Sequence, residues 1–119
     1  MRDFQKLKVW AQAHQLVIDV FADTERFPRR ERFGLSDQLR RSVVSVPSNL
    51  AEGAGRSSRK DYARFVDIAI GSASEVSYQL LLAHDLGMLE SSAYATRADQ
   101  AEAVRRKLAN LRRAILSDA

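Results

Sequence analysis

The residues of this sequence that could do chemistry are mostly arginines, and they are clustered. Residues 26–64 hold ten basic and four acidic side chains, and residues 100–119 hold five and two. A guanidinium binds phosphate oxygens in pairs, and a row of them gains affinity for a polyanion by releasing counterions. We therefore predict phosphate contacts to RNA or DNA. The predicted nucleic-acid-binding residues are Arg29, Arg30, Arg40, Arg41, Arg56, Arg59, Lys60, Arg106 and Arg113.

The same basic residues have a second interpretation, as a solvated face without a ligand. Arg41 has two candidate partners across turns of its own helix, Asp37 and Glu52, and such a pair would occupy its guanidinium. No aromatic platform alternates with the basic residues, and no known recognition helix is present. The sequence therefore gives no support for sequence-specific binding, and it leaves both sequence specificity and the choice between RNA and DNA open.

Enzymatic and metal chemistry lack the residues that they need. The chain has no cysteine and two histidines, which leaves no thiolate ligands and few bases. The Glu-x-x-His pattern of di-iron bundles is absent, because Tyr78 follows Glu75 and Gly55 follows Glu52 at that spacing. Neither a Gly-x-Ser-x-Gly elbow nor the lysine of a phosphate-binding loop is present. We expect a protein that is not an enzyme and has no metal or cofactor.

Length and composition indicate one domain over residues 1–119. A chain of 119 residues holds a single core, and its formal charge of +4 favours an acidic partner. No segment approaches the roughly 20 apolar residues of a membrane span, so we expect no membrane partner. The absence of cysteine fits the reducing cytoplasm, where we expect the protein to act.

Four segments carry apolar residues at three- and four-residue spacing, which predicts four helices. The segments are residues 9–24, 35–53, 58–87 and 92–116, and a basic connector with at most one helical turn fills 26–34. Ser58 and Asp61 resemble a helix-capping box, and Gly87 is a stop signal. Pro47 interrupts an intact apolar stripe, which favours a kink over two helices. The predicted fold is all-α, an antiparallel up-and-down four-helix bundle whose second helix is kinked at Pro47.

Three of the predicted helices carry apolar residues outside their core stripes. Bundle helices commonly have wide apolar arcs, which is one explanation. Self-association is the other, and we favour it because contiguous exposed apolar surface usually marks an interface. The predicted interface residues are Trp10, Ile18, Phe21, Val44, Pro47, Ala51, Ile68 and Leu82.

Residues 33–53, FGLSDQLRRSVVSVPSNLAEG, resemble a known family. It comprises the small four-helix-bundle proteins encoded within intervening sequences of bacterial 23S ribosomal RNA genes. The resemblance extends over most of the chain, to Trp10, Phe27-Pro28, Gly71-Ser72 and Leu86-Gly87, and is weakest in the last helix.

The resemblance implies an assembly and partners. This family is similar to the accessory variability proteins of diversity-generating retroelements, which form homopentamers, bind nucleic acid through basic surfaces and contact a reverse transcriptase. It therefore implies a homopentamer, an RNA or DNA partner and a reverse transcriptase as a further partner. The family motif falls on Arg40, Arg41, Ser45, Asn49, Glu52 and Gly53.

The role of this motif is open between a subunit-interface network and a ligand site. We expect Asn49 to satisfy the carbonyl that Pro47 leaves free on Val43. If the arginines serve subunit or partner interfaces, the protein is a structural adaptor between proteins.

Overall fold

Four long helices account for most of the chain in the computed structural model, which describes residues 2–31 and 34–117. They are α1 (Lys8–Glu25), α2 (Leu35–Ala54), α3 (Arg59–Asp85) and α4 (Ser91–Ser117). Two short 3₁₀ turns, Phe4–Lys6 and Arg29–Glu31, precede α1 and α2. The all-α prediction is confirmed. Of the predicted connector, 26–34, the described residues contain one short turn, and residues 32 and 33 lie outside the described part of the chain.

Each helix packs against its neighbours in the chain, and α4 packs back against α1 to close a four-helix bundle. Short connections make consecutive helices antiparallel. Apolar residues of the four helices form the core, in which five leucines from all four helices are fully buried: Leu16, Leu39, Leu50, Leu80 and Leu108. The bundle measures 48 × 23 × 20 Å. Within the described residues, no helix combines the length and apolarity that crossing a membrane requires.

Both ends of α3 follow from local sequence. The Ser58 hydroxyl accepts a hydrogen bond from the Asp61 amide at 3.0 Å, which satisfies one donor of the first turn. After the last turn, Gly87 has a φ of +79°, in the left-handed region that glycine adopts without strain. The N-terminus of α3 lies at one end of the bundle, beside the C-terminus of α2, and the C-terminus of α3 lies at the opposite end.

Pro47 lies inside α2, which continues through it as one helix. This confirms one helix over two; the kink itself stays a prediction. Asn49 donates to the Ser45 carbonyl at 2.8 Å and to the Ser45 hydroxyl at 2.9 Å. The expectation that Asn49 satisfies Val43 is therefore wrong, because a short amide side chain on a helix reaches the carbonyl four residues back, and Val43 is six back.

α2 and α3 approach each other most tightly at Gly53. A Cβ built on Gly53 would lie 2.8 Å from the Cβ of Phe65 and 3.2 Å from the carbonyl oxygen of Tyr62. Both are held by the α3 backbone and have little freedom to move away. About two turns away from Gly53 along the two helices, the Ser45 and Ser72 hydroxyls are hydrogen-bonded at 2.8 Å. The α2–α3 contact therefore depends on small residues.

We expect Gly53→Ala to lower the free energy of unfolding by about 2 kcal/mol, because overpacking outweighs the higher helix propensity of alanine. Gly71 is the matched control, since its Cβ would meet nothing within 4 Å. Gly71→Ala should raise stability by up to about 1 kcal/mol. Urea unfolding followed by circular dichroism measures both. Equal effects of the two substitutions would contradict a close helix contact at Gly53.

A mostly buried ion pair joins α1 to α4. Arg97 donates to both carboxylate oxygens of Asp23, from Nε at 2.6 Å and from Nη2 at 3.1 Å. Only 7% of the Asp23 side chain and 16% of the Arg97 side chain are exposed. The hydrogen bond to Asp23 raises the pKa of Arg97 further above its ordinary range, so the guanidinium stays charged. Gln100 extends the link to Asp19 at 3.0 Å.

Arg97→Met should lower the free energy of unfolding by about 3 kcal/mol, because it leaves the Asp23 carboxylate buried without its partner. The double variant Arg97→Met/Asp23→Leu should recover part of this loss. Arg41→Met is the control: Arg41 pairs with Asp37 at 2.6 Å with 76% of its side chain exposed, so its loss costs less than about 1 kcal/mol. Thermal and urea unfolding measure the variants. Strictly additive effects of the two substitutions would contradict a coupled pair.

Candidate nucleic-acid interface

The bundle separates the predicted nucleic-acid-binding residues into two groups. Arg56, Arg59, Lys60 and Arg113 lie where α1 and α3 begin and where α2 and α4 end, which we name the basic end. Arg29, Arg30, Arg40 and Arg41 lie at or near the opposite end, and Arg106 lies between. The part of α2 from Arg40 to Ala54 spans about 21 Å at 1.5 Å per residue. The nine residues therefore do not form one patch.

The basic end gathers charge from all four helices and from the residues before α1. Arg2 joins it because its Nη1 donates to the Arg56 carbonyl at 2.8 Å and its amide to the Ala54 carbonyl at 3.2 Å. Its described residues include four acids, Asp3, Glu52, Asp61 and Asp67, and nine basic residues. The basic residues are Arg2, Lys6, Lys8, Arg56, Arg59, Lys60, Arg64, Arg112 and Arg113.

Ion pairs within the chain neutralise part of the positive charge at the basic end. Asp61 is paired with Arg64 at 2.9 Å and lies 3.6 Å from Arg56 Nε, and Asp67 accepts from Arg112 Nε at 2.5 Å. Arg56 also pairs with Glu52, at 3.3 Å. These pairs are exposed and weak, so an incoming phosphate can compete for the guanidinium groups.

Arg59 and Lys60 differ from the paired cations. Both are exposed, and neither side chain has a hydrogen bond or ion pair within the described part of the chain. They are the first two residues of α3, where the helix dipole adds partial positive charge. The unpaired charge of the basic end is thus concentrated at the start of one helix.

Aromatic rings of α3 orient several guanidinium groups at this end. Arg2 lies over the ring of Tyr62 at 4.3 Å, and Arg56 and Arg64 lie over Phe65 at 4.7 and 4.5 Å. Such cation–π contacts fix a long side chain without neutralising its charge. Burial raises the pKa of the Tyr62 hydroxyl, and the charge of Arg2 opposes part of that rise.

A groove between α3 and α4 opens among these cations. Its volume is about 600 Å³, and its lining includes Lys60, Arg64 and Arg112 with Asp61 and Asp67. A second pocket of about 240 Å³ includes Arg2, Arg59 and Tyr62. Both pockets lie between the start of α3 and the end of α4, and each has at least two basic residues in its lining.

At the opposite end, Arg40 and Arg41 of α2 have partners within the chain. Arg40 donates from Nε to the Thr24 hydroxyl at 2.7 Å and from Nη2 to Glu25 at 3.1 Å, and it lies over the Phe21 ring at 4.7 Å. It therefore joins α2 to α1. Arg41 pairs with Asp37, one of the two partners that its position allowed, and Glu52 pairs with Arg56 instead.

The remaining predicted basic residues lie on exposed positions. Arg29 and Arg30 form the 3₁₀ turn before α2. Arg113 donates to Asn110 on α4. Arg106 lies beside Glu102, whose pKa is lowered first by the hydrogen bond from Arg105 and also by the charges of Arg105 and Arg106.

Half of the predicted interface residues flank a shallow groove between α1 and α2. It has a volume of about 290 Å³, and Trp10, Val44, Pro47 and Ala51 line it. His14 stacks on Trp10 with ring centres 5.0 Å apart. Pro47 is buried rather than on an outward flank, because α1 packs against this side of α2.

The other predicted interface residues lie outside this groove. Ile18, Phe21 and Ile68 are exposed, as predicted, at 49%, 37% and 41%. The outward position predicted for Leu82 is wrong, because its side chain is half-buried and packs against the core.

Sequence reasoning missed Arg2 as a member of the basic end. Its partners, Tyr62 and the Arg56 carbonyl, are more than 50 residues away in the chain. No local pattern encodes such a contact, and only the folded chain reveals it.

The sequence profile of the 23S rRNA-intervening sequence protein matches residues 5–110. That range covers most of the chain and includes the segment 33–53, whose first residue, Phe33, lies outside the described residues. The chain belongs to this family. The resemblance drawn from the motif is confirmed, and the relation to retroelement proteins stays a prediction.

A solved relative shares the fold of this family member. It is a protein of unknown function from the S23 ribosomal protein family of Bacteroides thetaiotaomicron, known from a crystal structure at 1.70 Å. The TM-score is 0.82 at 20% identity, over 88% of this chain and 95% of the other. At that identity the likeness confirms the fold alone. Among curated proteins, none matches this chain significantly.

The structure shows what most of the family motif contacts. Arg40 joins α2 to α1, Ser45 and Asn49 form the hydrogen bonds beside Ser72, and Gly53 permits the close approach of α3. These residues pack the bundle of this family member internally. Arg41 and Glu52 lie on the outer face of α2, where each has an ion-pair partner.

Proposed function

We propose that the chain is a non-enzymatic, self-associating protein that binds nucleic acid at its basic end, mainly through phosphates. One observation carries the proposal: nine basic and four acidic side chains lie at this end of the bundle, and three of the basic ones line the α3–α4 groove. The end of the bundle is about 20 Å across, as its 23 × 20 Å cross-section gives. Along the axis of duplex DNA each strand carries one phosphate per about 3.4 Å, so this end spans roughly six base pairs of a duplex.

The chemistry of the basic end favours binding without sequence preference. Arg59 and Lys60 supply unpaired charge, while Arg64 and Arg112 are held by Asp61 and Asp67. Their guanidinium groups can exchange these carboxylates for phosphate oxygens of the same geometry. The rings nearest to Arg59 and Lys60, those of Tyr62 and Phe65, are buried and leave no face on which a base could stack. RNA and duplex DNA are therefore both suitable ligands.

Arg59→Glu/Lys60→Glu should weaken binding to mixed-sequence RNA and duplex DNA about tenfold or more, and should flatten the salt dependence on DNA by about two units of slope. Each lost phosphate contact removes its share of counterion release. A glutamate in the first turn of a helix interacts favourably with the helix dipole, so the fold should persist. Fluorescence anisotropy from about 50 to 200 mM salt measures both quantities.

Arg26→Glu is the matched control, since Arg26 is exposed and lies at the opposite end of the bundle. Arg26→Glu reverses one charge, as each substitution of the double variant does. It should weaken binding much less than half as strongly as the double variant, because Arg26 lies far from the proposed site. No binding of wild type at low salt, or an equal loss with Arg26→Glu, would contradict the proposed location. A loss confined to one sequence would contradict a mechanism based on phosphates alone.

We also propose that the chain self-associates through the apolar surface of α1 and α2. The groove lined by Trp10 and Val44 adjoins α1, where Ile18 and Phe21 are exposed, so the apolar area extends over both helices. Contiguous apolar surface of this kind is stabilised by a partner. A homopentamer, which the family resemblance implies, is the expected assembly.

Light scattering after size exclusion should give five times 13.4 kDa, about 67 kDa, for the wild type. Ile18→Glu/Val44→Glu should shift the mass toward 13.4 kDa, because it buries charge in the interface. Leu116→Glu is the control, an apolar residue 42% exposed at the basic end. A wild-type monomer, or an unchanged mass for the double variant, would contradict this interface.

The alternative is a structural adaptor between proteins, such as one that contacts a reverse transcriptase. The observation that favours it is that Arg40, Arg41 and Arg56 already have carboxylate partners in their own chain. If charge reversal at the basic end changes the assembly and leaves nucleic-acid affinity untouched, the adaptor becomes the better proposal.

A further inference from the structure

A separate polar pocket lies at the end of the bundle opposite the basic end. It is the recess between the end of α1, the 3₁₀ turn and the start of α2, and its volume is about 250 Å³. Two cations, Arg29 and Arg40, and two hydroxyl residues, Thr24 and Ser36, line it together with Glu25. At about 30 Å³ per water molecule, this recess can hold an oxyanion and its remaining water.

Ser36 is the clearest sign that the pocket takes a ligand. The residue is 6% exposed, yet its hydroxyl makes no hydrogen bond within the described part of the chain. The hydroxyl is not among the fully buried polar atoms that lack a partner, so it keeps contact with the pocket and can donate a hydrogen bond there. Because Ser36 lines the pocket, a ligand there can accept its hydrogen bond.

The start of α2 adds backbone donors beside Ser36. Gly34 precedes the helix and has no side chain to cap it, and the first backbone bond of the helix runs from the Gln38 amide to the Gly34 carbonyl. The amides of the first turn of an α-helix have no hydrogen-bond partner inside the helix itself. These amides and the positive end of the helix dipole favour an anion.

Arg40 is held in place for the same ligand. The Thr24 hydroxyl accepts from its Nε, and the Phe21 ring lies beneath its guanidinium, so the side chain is oriented before a ligand arrives. Its Nη1 has no partner in the described residues. Glu25, which accepts from Nη2 at 3.1 Å, is 76% exposed on its side chain and can move into solvent. Arg29 is exposed and brings a second guanidinium.

We propose that this pocket binds one phosphate group, through Arg29, Arg40, the Ser36 hydroxyl and the first amides of α2, with Glu25 displaced from Arg40. The donors outnumber what the two oxygens of a carboxylate can accept, so a phosphate with its additional oxygens fits better. The group can belong to a small phosphate or to the 5′ end of an oligonucleotide. The site is independent of the basic end, which follows the phosphates of a chain.

Calorimetric titration with inorganic phosphate at constant ionic strength tests the site. We expect saturable binding of one phosphate per chain in the wild type. Arg29→Gln and Ser36→Ala should each weaken it about five- to tenfold by removing one hydrogen bond to a charged ligand. Glu25→Gln should tighten it about threefold, because an exposed competing carboxylate is lost. Arg26→Gln, which alters an exposed arginine outside the pocket, should have little effect.

A second experiment distinguishes the two sources of phosphate. A short oligonucleotide with a 5′-phosphate is compared with the same oligonucleotide carrying a 5′-hydroxyl, in the background of Arg59→Glu/Lys60→Glu. Stronger binding of the phosphorylated form, lost on Ser36→Ala, identifies the terminal phosphate of a nucleic acid. Binding of inorganic phosphate without that preference identifies a small phosphate.

Two results would overturn the proposal. One is the absence of phosphate binding by the folded wild type. The other is an equal loss of phosphate affinity in Arg26→Gln and Ser36→Ala, which would show that net charge and not the pocket holds the anion. Neither result bears on the basic end, whose test uses internal phosphates and the variant of Arg59 and Lys60.

Discussion

The close contact of α2 and α3 at Gly53 is the constraint on which the basic end depends. Because no side chain separates the helices there, Phe65 and the Tyr62 carbonyl lie directly against the α2 backbone. The rings of Tyr62 and Phe65 then lie where the guanidinium groups of Arg2 and Arg56 can stack on them. Tight packing of two helices thus sets the positions of charges that are exposed to solvent.

The basic residues of this protein fall into two groups, those with a partner inside the molecule and those whose charge is free to bind a ligand. Arg97 is mostly buried against Asp23 and joins α1 to α4, and Arg40 joins α2 to α1 through Thr24. The guanidinium groups of Arg97 and Arg40 therefore bind other side chains of the same chain. Arg59 and Lys60 have no such partner within the described residues, so their charge faces solvent. Counting basic residues alone therefore overstates the charge available to a polyanion.

The family motif on α2 has a largely structural explanation. Ser45 and Asn49 form a small hydrogen-bonded group with Ser72, and Gly53, about two turns from Ser45, allows the helix contact nearer the basic end. Polar side chains and a glycine along one side of a helix are what a close, partly polar helix contact requires. The motif thus maintains the bundle that presents both the basic end and the phosphate pocket.

The sequence alone determined the four helices, their order and most core positions, because apolar periodicity and the Ser58 and Gly87 end signals are local. It also placed positive charge on the right segments. The tertiary structure decided which basic residues lie together. Arg2, near the start of the sequence, joins the basic end by a hydrogen bond to the carbonyl of Arg56, 54 residues away. The tertiary structure likewise decided that Pro47 is buried and that Ser36 lines a pocket. Such contacts join residues distant in sequence, and helical periodicity carries no information about which faces become neighbours.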